Sequence, residues 1–273
     1  MRRNSLVLLV AGAIAAAYVA AAVAGSDAAI TPPAGIAQAG KIVYCTDATY
    51  PPEEFFQGSK IVGSDVDIGT AVAKLMGVRA EFKNTIFDSI IPALLVKKCD
   101  AIISGMNDTA ERRKQVNFVD YLRVGQSVMV KKGNPAHIKT LSDLSGKRVS
   151  VESGTTNRDF LAATSKNLTA HGKKGITIVT FPKDTDAVAA LKAGRVDGYF
   201  GDSPVVYNYV KEDASFALGA SPIAPIPIGI AVRKSDPLRA ATQKAINTLY
   251  ANGSIRRIVA RWGMTKAVEF LNK

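Results

Sequence analysis

Histidine, cysteine and tryptophan are nearly missing from this chain: two, two and one among 273 residues. With so few of them, no metal-ligand spacing forms, and no Walker loop, nucleophile elbow or paired carboxylate site stands out either. His137 and His171 fall in predicted loops and read as solvated surface residues. No metal, cofactor or catalytic residue is therefore expected. Arginine-rich runs and aromatic-interleaved basic patches are absent too, so the net charge of +12 does not point to nucleic acid. A diffuse basic surface suits an anionic membrane or a partner instead.

Long apolar runs are equally scarce, with one exception at the start. Arg2 and Arg3 precede an apolar stretch from Leu6 to Ala24 whose Ala22-Val23-Ala24 end suits a signal peptidase. Residues 1–24 read as a cleaved export signal, an uncleaved membrane anchor being the alternative. No cysteine follows closely enough to carry a lipid. Residues 25–40, rich in Ala, Pro and Gly without periodicity, read as a loose leader. Removing the signal lowers the net charge to +10. Export makes a disulfide between Cys45 and Cys99 the first thought. Both cysteines fall on predicted parallel strands, one near a carboxyl end and the other near a start, so we expect them to stay unbridged as small buried apolar residues.

What the chain does have is rhythm, and its 47% hydrophobic content is enough for a packed core. Lys41–Thr46 reads as a strand, Asp65–Met76 as a helix stopped by Gly77, Arg79–Lys83 as a strand, Ser89–Lys97 as a helix and Asp100–Ser104 as a buried strand. After a linking stretch near Val124–Val130 the pattern resumes. Strands are expected at Lys147–Glu152, Ile176–Phe181 and Val196–Gly201, with a helix opening after Ser153-Gly154-Thr155-Thr156 and another at Asp186–Ala193. Such alternation predicts α/β architecture with two mostly parallel sheets, hence two lobes. Helices at Leu238–Ala251 and Ser254–Trp262 are placed to return to the first lobe. The expected division is 41–125 plus 230–273 for the first lobe and 126–229 for the second, with hinges near Gly125–Val130 and Ile226–Ala231.

An internal echo locates a cleft. Ala93-Leu94 with Lys98-Cys99-Asp100-Ala101 parallels Ala190-Leu191 with Arg195-Val196-Asp197-Gly198, and each copy leads to a strand end, at Gly105 and Asp202. Ligands of open α/β sheets sit outside the carboxyl ends of strands, which makes these two residues pocket candidates from opposite lobes.

Several segments, in order and spacing, carry a resemblance: Asp47-Ala48-Thr49-Tyr50-Pro51-Pro52, Gly63-Ser64-Asp65-Val66-Asp67-Ile68, Phe87 to Leu94, Asp100 to Met106, Glu111-Arg112, Ser153 to Thr156 and Gly201-Asp202-Ser203-Pro204. From about Lys41 to Gly263 the chain resembles the amino-acid-binding family of ABC-transporter solute-binding proteins, whose lobes are shared by ionotropic glutamate receptors. The resemblance implies a periplasmic-binding-protein-like type II fold, two α/β lobes joined by two hinge strands with the ligand between them. It further implies Arg112 on the ligand α-carboxylate and Asp202 on the ammonium. Physical chemistry asks for the same set, because a zwitterion needs a cation with aligned donors at one end and an anion at the other.

Gly154, Thr155 and Thr156 open a helix and form an anion nest or a plain threonine cap. For the side-chain wall we take Asp47, Tyr50, Glu53 and Phe87, with Gly105, Met106 and Asn107 as the floor. Phe87 is alternatively core, and Asp202 alternatively a helix cap. Glu53 stands where the family usually has phenylalanine, Ser64 where it has an aromatic and Asn107 where it has serine or threonine. Glu53 with Asp47 favours a basic or polar solute, unless Glu53 points to solvent. The expected protein is a periplasmic monomer that takes no cofactor, closes on a free L-amino acid and hands it to a membrane ABC permease. The rival is an enzyme on the same scaffold, resembling periplasmic cyclohexadienyl dehydratases, for which Glu53 is the one unexpected acid or base.

Overall fold

The computed structural model describes residues 30–221 and 223–271. The expected export signal and the first five leader residues lie outside them. Among the described residues no helix is long and apolar enough to cross a membrane.

In chain order the elements are α1 (Ala34–Ala39), β1 (Lys41–Thr46), β2 (Thr49–Tyr50), β3 (Glu54–Gln57), β4 (Lys60–Val62), α2 (Ser64–Leu75), β5 (Arg79–Asn84), α3 (Ile90–Leu95), β6 (Ala101–Ile102), α4 (Ala110–Arg113) and β7 (Val116–Lys131). There follow β8 (Arg148–Glu152), α5 (Thr156–Ala170), β9 (Thr177–Phe181), α6 (Asp184–Lys192), β10 (Gly198–Asp202), α7 (Ser203–Glu212), β11 (Phe216–Leu218), β12 (Ile223–Arg233), α8 (Leu238–Ala251), α9 (Ser254–Arg261) and β13 (Val268–Glu269).

One curled sheet runs β5-β1-β6-β12-β7-β10-β8-β9, with β11 and β13 also on β7. The outer trios β5-β1-β6 and β10-β8-β9 are parallel, whereas β12 and β7 run antiparallel through the middle. The inner parallel strands β1, β6, β8 and β10 are covered on both faces and largely buried, whereas the edge strands β5 and β9 are exposed or half-buried and carry more polar residues. In β1, Ile42 and Tyr44 enter a core with α2, α8 and α9, while Cys45 enters another with α3. In β10, Phe200 and Tyr199 divide in the same way between two second-lobe cores. The carboxyl-terminal helices do return to the first lobe.

The internal echo is structural as well as sequential. Asp100 accepts the Val43 amide on its carboxylate and donates its own amide to the Val43 carbonyl. Asp197 does the same with Arg148. In each lobe one aspartate ties the helix-to-strand turn to the neighbouring strand.

Three expectations are corrected here. Residues from Ile30 onward are no loose leader: α1 forms, Ile30 and Ile36 are buried in the first-lobe core, and the Ile30 amide bonds to Leu75 O. Val124–Val130 is not an irregular connection but the second half of the continuous 16-residue β7, whose partners change along its length from β12 to β10. Cys45 and Cys99 are bridged, with Cα atoms 5.7 Å apart. Cys99 precedes β6 rather than lying in it, and the turn from α3 folds back beneath that helix, held by Lys98 N–H to Ala93 O and Asp100 N–H to Val43 O. That bend removes the axial offset that an extended strand would have imposed.

Candidate functional site

The carboxyl ends of β1, β6, β8 and β10 converge on one small cavity. Its lining comes from both lobes: Asp47, Tyr50, Glu54, Phe87, Ser104, Gly105 and Asn107 from the first, and Glu152, Thr155, Asn157 and Asp202 from the second. Gly105, at φ +49°, turns the chain off β6, and its amide donates to Asp65.

The lobes are closed on each other, and named bonds cross the cleft. The Arg112 guanidinium donates to Asn107 O at 2.9 Å in its own lobe and to Gly154 O at 3.2 Å in the other. Thr156 Oγ1 donates to Asn107 Oδ1, and the Asp202 amide donates to the Tyr50 hydroxyl at 3.1 Å. Asn157 Nδ2 reaches the same hydroxyl, and the Asp184 amide donates to Thr49 Oγ1. Gly154, at φ +72°, sits so close to Asp88 that an added Cβ would come within 2.9 Å of its Cα. Glycine is therefore needed there both for the turn and for closure.

Arg112 is placed by its helix. Thr109 caps α4 by accepting the Arg112 amide, which sets the guanidinium 5.3 Å from the centroid of the Phe87 ring. Burial pulls its pKa down to about 10, with the Asp202 and Asp159 carboxylates opposing, so it remains a cation at neutral pH.

Acid dominates the rest. Asp47, Glu53, Glu54, Asp65, Glu152, Asp184 and Asp202 are all buried around this cleft. Burial raises Asp202 to about 7, against hydrogen bonds from Asn157 and Tyr50 and the charge of Arg112. Burial likewise raises Asp184 to about 8 and Asp65 to about 6. Glu54 and Glu152 are pushed up first by burial and then by neighbouring carboxylates. Glu54 Oε2, Glu152 Oε1, Asp184 Oδ2 and Asp202 Oδ1 are buried without a hydrogen-bond donor. Asp202 occupies the N-cap position of α7 yet makes no side-chain capping bond, so the helix-cap role does not explain it.

The sequence-predicted residues divide into groups. Asp47, Tyr50, Phe87, Gly105, Asn107, Thr155 and Asp202 line the cavity. Arg112, Gly154 and Thr156 stand beside it in the interlobe bonds above. Asp47 is spent locally, since its carboxylate accepts Thr49 Oγ1 and the Phe87 amide. The Thr155 hydroxyl is spent too, capping α5 through the Arg158 amide and donating to Glu152 O. Met106 is a correction: its side chain turns into the core with Ile90 and Phe118, because the bend at Gly105 sends the next residue inward. Glu53 neither lines the cavity nor points to solvent; it is fully buried beneath it.

Glu54, Ser104, Glu152 and Asn157 were missed. Glu152 ends β8 and was available from the same carboxyl-end rule that located Gly105 and Asp202. Asn157 is one residue past the expected nest. Glu54 and Ser104 hydrogen-bond each other at 2.8 Å, a partnership without a local signal, their positions being 50 residues apart.

The chain is similar to known binding proteins in sequence and in fold. ABC transporter arginine-binding protein 1 of Escherichia coli is 33% identical over 235 residues, covering 84% of this chain and 93% of its own. The structure of an ancestral arginine-binding protein bound to arginine superposes with a TM-score of 0.76 at 38% identity, covering 82% of this chain and 98% of that one. The ancestral amino acid-binding protein AncCDT-1, a precursor of cyclohexadienyl dehydratase, superposes with a TM-score of 0.76 at 32% identity, covering 84% and 97%. These named relatives are binding proteins rather than enzymes. Since the profile of one family matches residues 42–265, nearly all of the two lobes, the chain belongs to the bacterial extracellular solute-binding proteins, family 3.

Proposed function

We propose that this protein is the periplasmic substrate-binding component of an amino-acid ABC transporter and that its solute is a basic amino acid, arginine before the others. One observation carries the choice of solute. Along the cavity wall Glu54, Glu152 and Asp202 each hold a buried carboxylate oxygen with no donor, whereas the buried lining donor without a partner is Asn107 Nδ2. Arginine offers three ammonium and five guanidinium hydrogens to such acceptors.

In this reading the ligand α-carboxylate meets Arg112, Asn107 Nδ2 and the Thr156 and Asn157 amides that open α5, the Arg158 amide being taken by the Thr155 cap. The ammonium meets Asp202. Tyr50 flanks the side chain, Phe87 backs Arg112, and the distal cation faces Glu54 and Glu152. Thr155 contributes through its main chain, its hydroxyl being engaged. Closure about the paired strands β7 and β12, near residues 125–130 and 226–231, buries both charges together, and the permease then receives the closed form. Export through residues 1–24 and action as a monomer complete the proposal. The dehydratase alternative is disfavoured by charge: a dicarboxylate substrate such as prephenate would meet this acidic wall with Arg112 as the cation beside it.

A thermal-shift screen of the mature protein against the common L-amino acids tests the proposal. A ligand at 100 times its Kd adds about 2.7 kcal/mol, which for this size raises Tm by roughly 5–10 °C. Arginine, lysine and histidine should give the largest shifts. No shift with any of them, or turnover of prephenate, would contradict it.

A further inference from the structure

Glu53 is fully buried, and neither of its carboxylate oxygens has a hydrogen-bond donor. Its backbone is fixed, with the amide on Tyr50 O and the carbonyl accepting the Asp65 amide. Its side chain is aimed at the cavity floor at the one place where the floor has no side chain. A Cβ at Gly105 would lie 3.4 Å from Glu53 Oε2 and 3.5 Å from the Tyr50 ring. Gly105, which lines the cavity, is thus in direct packing contact with this carboxylate. The ionisable groups facing it are Asp65 from α2, Glu54 from β3, Asp202 from β10, Asp184 from α6 and the phenols of Tyr50 and Tyr121, none of them a cation.

We propose that Glu53 is a specificity-determining residue, acting on the solute through the gap at Gly105 so that the pocket discriminates by net charge. The proposal rests on the amino-acid reading above. An ionised carboxylate buried without a countercharge is costly, so with a neutral solute Glu53 keeps its proton and contributes no attraction. Burial and the carboxylates of Asp65, Asp202 and Asp184 all push in that direction. A net-cationic solute supplies the countercharge; the carboxyl then releases its proton to solvent and the resulting anion attracts the solute.

Arginine and citrulline, nearly the same in shape but different in charge, separate the cases. Calorimetry in two buffers of different ionisation enthalpy measures both affinity and protons released. In the wild type arginine should release more protons than citrulline. In Glu53→Gln the arginine-to-citrulline affinity ratio should fall about tenfold, the excess release should drop measurably below the wild-type count, and citrulline should bind within about threefold of wild type. Glu53→Met, of similar volume, should behave alike, which excludes a misplaced amide as the cause. An unchanged ratio and proton count in both variants would overturn the proposal alone. Wild-type protein that binds neither compound would overturn the amino-acid reading and this proposal with it.

Discussion

Replacing Arg112 by alanine is expected to weaken arginine binding by about 2–5 kcal/mol, roughly 30-fold to several thousand-fold, while leaving the fold intact. The size of the effect follows from where the guanidinium sits. It is buried, it donates to main-chain carbonyls of both lobes, and its charge persists at neutral pH. Without it the ligand carboxylate would be enclosed with amide dipoles alone, and closure would lose its bond to Gly154. Direct titration calorimetry reads the loss, and circular dichroism melting of the ligand-free variant checks the fold. Wild-type affinity in Arg112→Ala would remove this residue from the site.

The second large effect is on stability. The Cys45–Cys99 bridge ties β1 to the turn before β6 across a separation of 54 residues. Constraining a loop of that length in the unfolded chain stabilises the fold by about 4 kcal/mol, within the range of about 2–5 kcal/mol seen when native bridges are removed. Guanidinium unfolding of the Cys45→Ala, Cys99→Ala double variant should therefore give a free energy lower by about 3–4 kcal/mol, with Tm down by roughly 10 °C. Both cysteines are buried against Ile90 and Leu94, so lost packing adds to the deficit. A deficit below about 1 kcal/mol would show that the bridge does not form in solution. The bridge also suits an oxidising compartment, in line with export.

How far the sequence alone reaches depends on how local the cause is. Strands such as Lys41–Thr46 and helices such as Leu238–Ala251 were legible because periodicity and terminating residues act within a few positions. Gly105 and Asp202 were legible through a rule about strand ends, and the Asp100 and Asp197 turns were visible as a repeated motif. The small antiparallel sheet β2-β3-β4 was not, since strands of two to four residues on either side of Pro51-Pro52 show no alternation. Nor was the continuity of β7, because a strand that exchanges one lobe's partners for the other's at Gly125 looks interrupted in sequence. The disulfide was misread for a related reason: whether Cys99 lies in a strand or in a fold-back turn is decided by contacts with Val43 and Ala93. The acid surplus is the clearest case, seven carboxylates scattered from Asp47 to Asp202 that become one electrostatic object only when two lobes meet.

The central claim is that Arg112 and Asp202, from opposite lobes, neutralise the two ends of one zwitterion, and deleting groups from ligand and protein together tests it most directly. Calorimetric affinities of arginine, of agmatine, which lacks the carboxylate, and of 5-guanidinopentanoate, which lacks the ammonium, should be measured for wild type, Arg112→Ala and Asp202→Asn. If the claim holds, Arg112→Ala loses far more affinity for arginine than for agmatine, whose loss is limited to the interlobe bond to Gly154, and Asp202→Asn loses far more for arginine than for 5-guanidinopentanoate. Equal losses for all three ligands in either variant would contradict it.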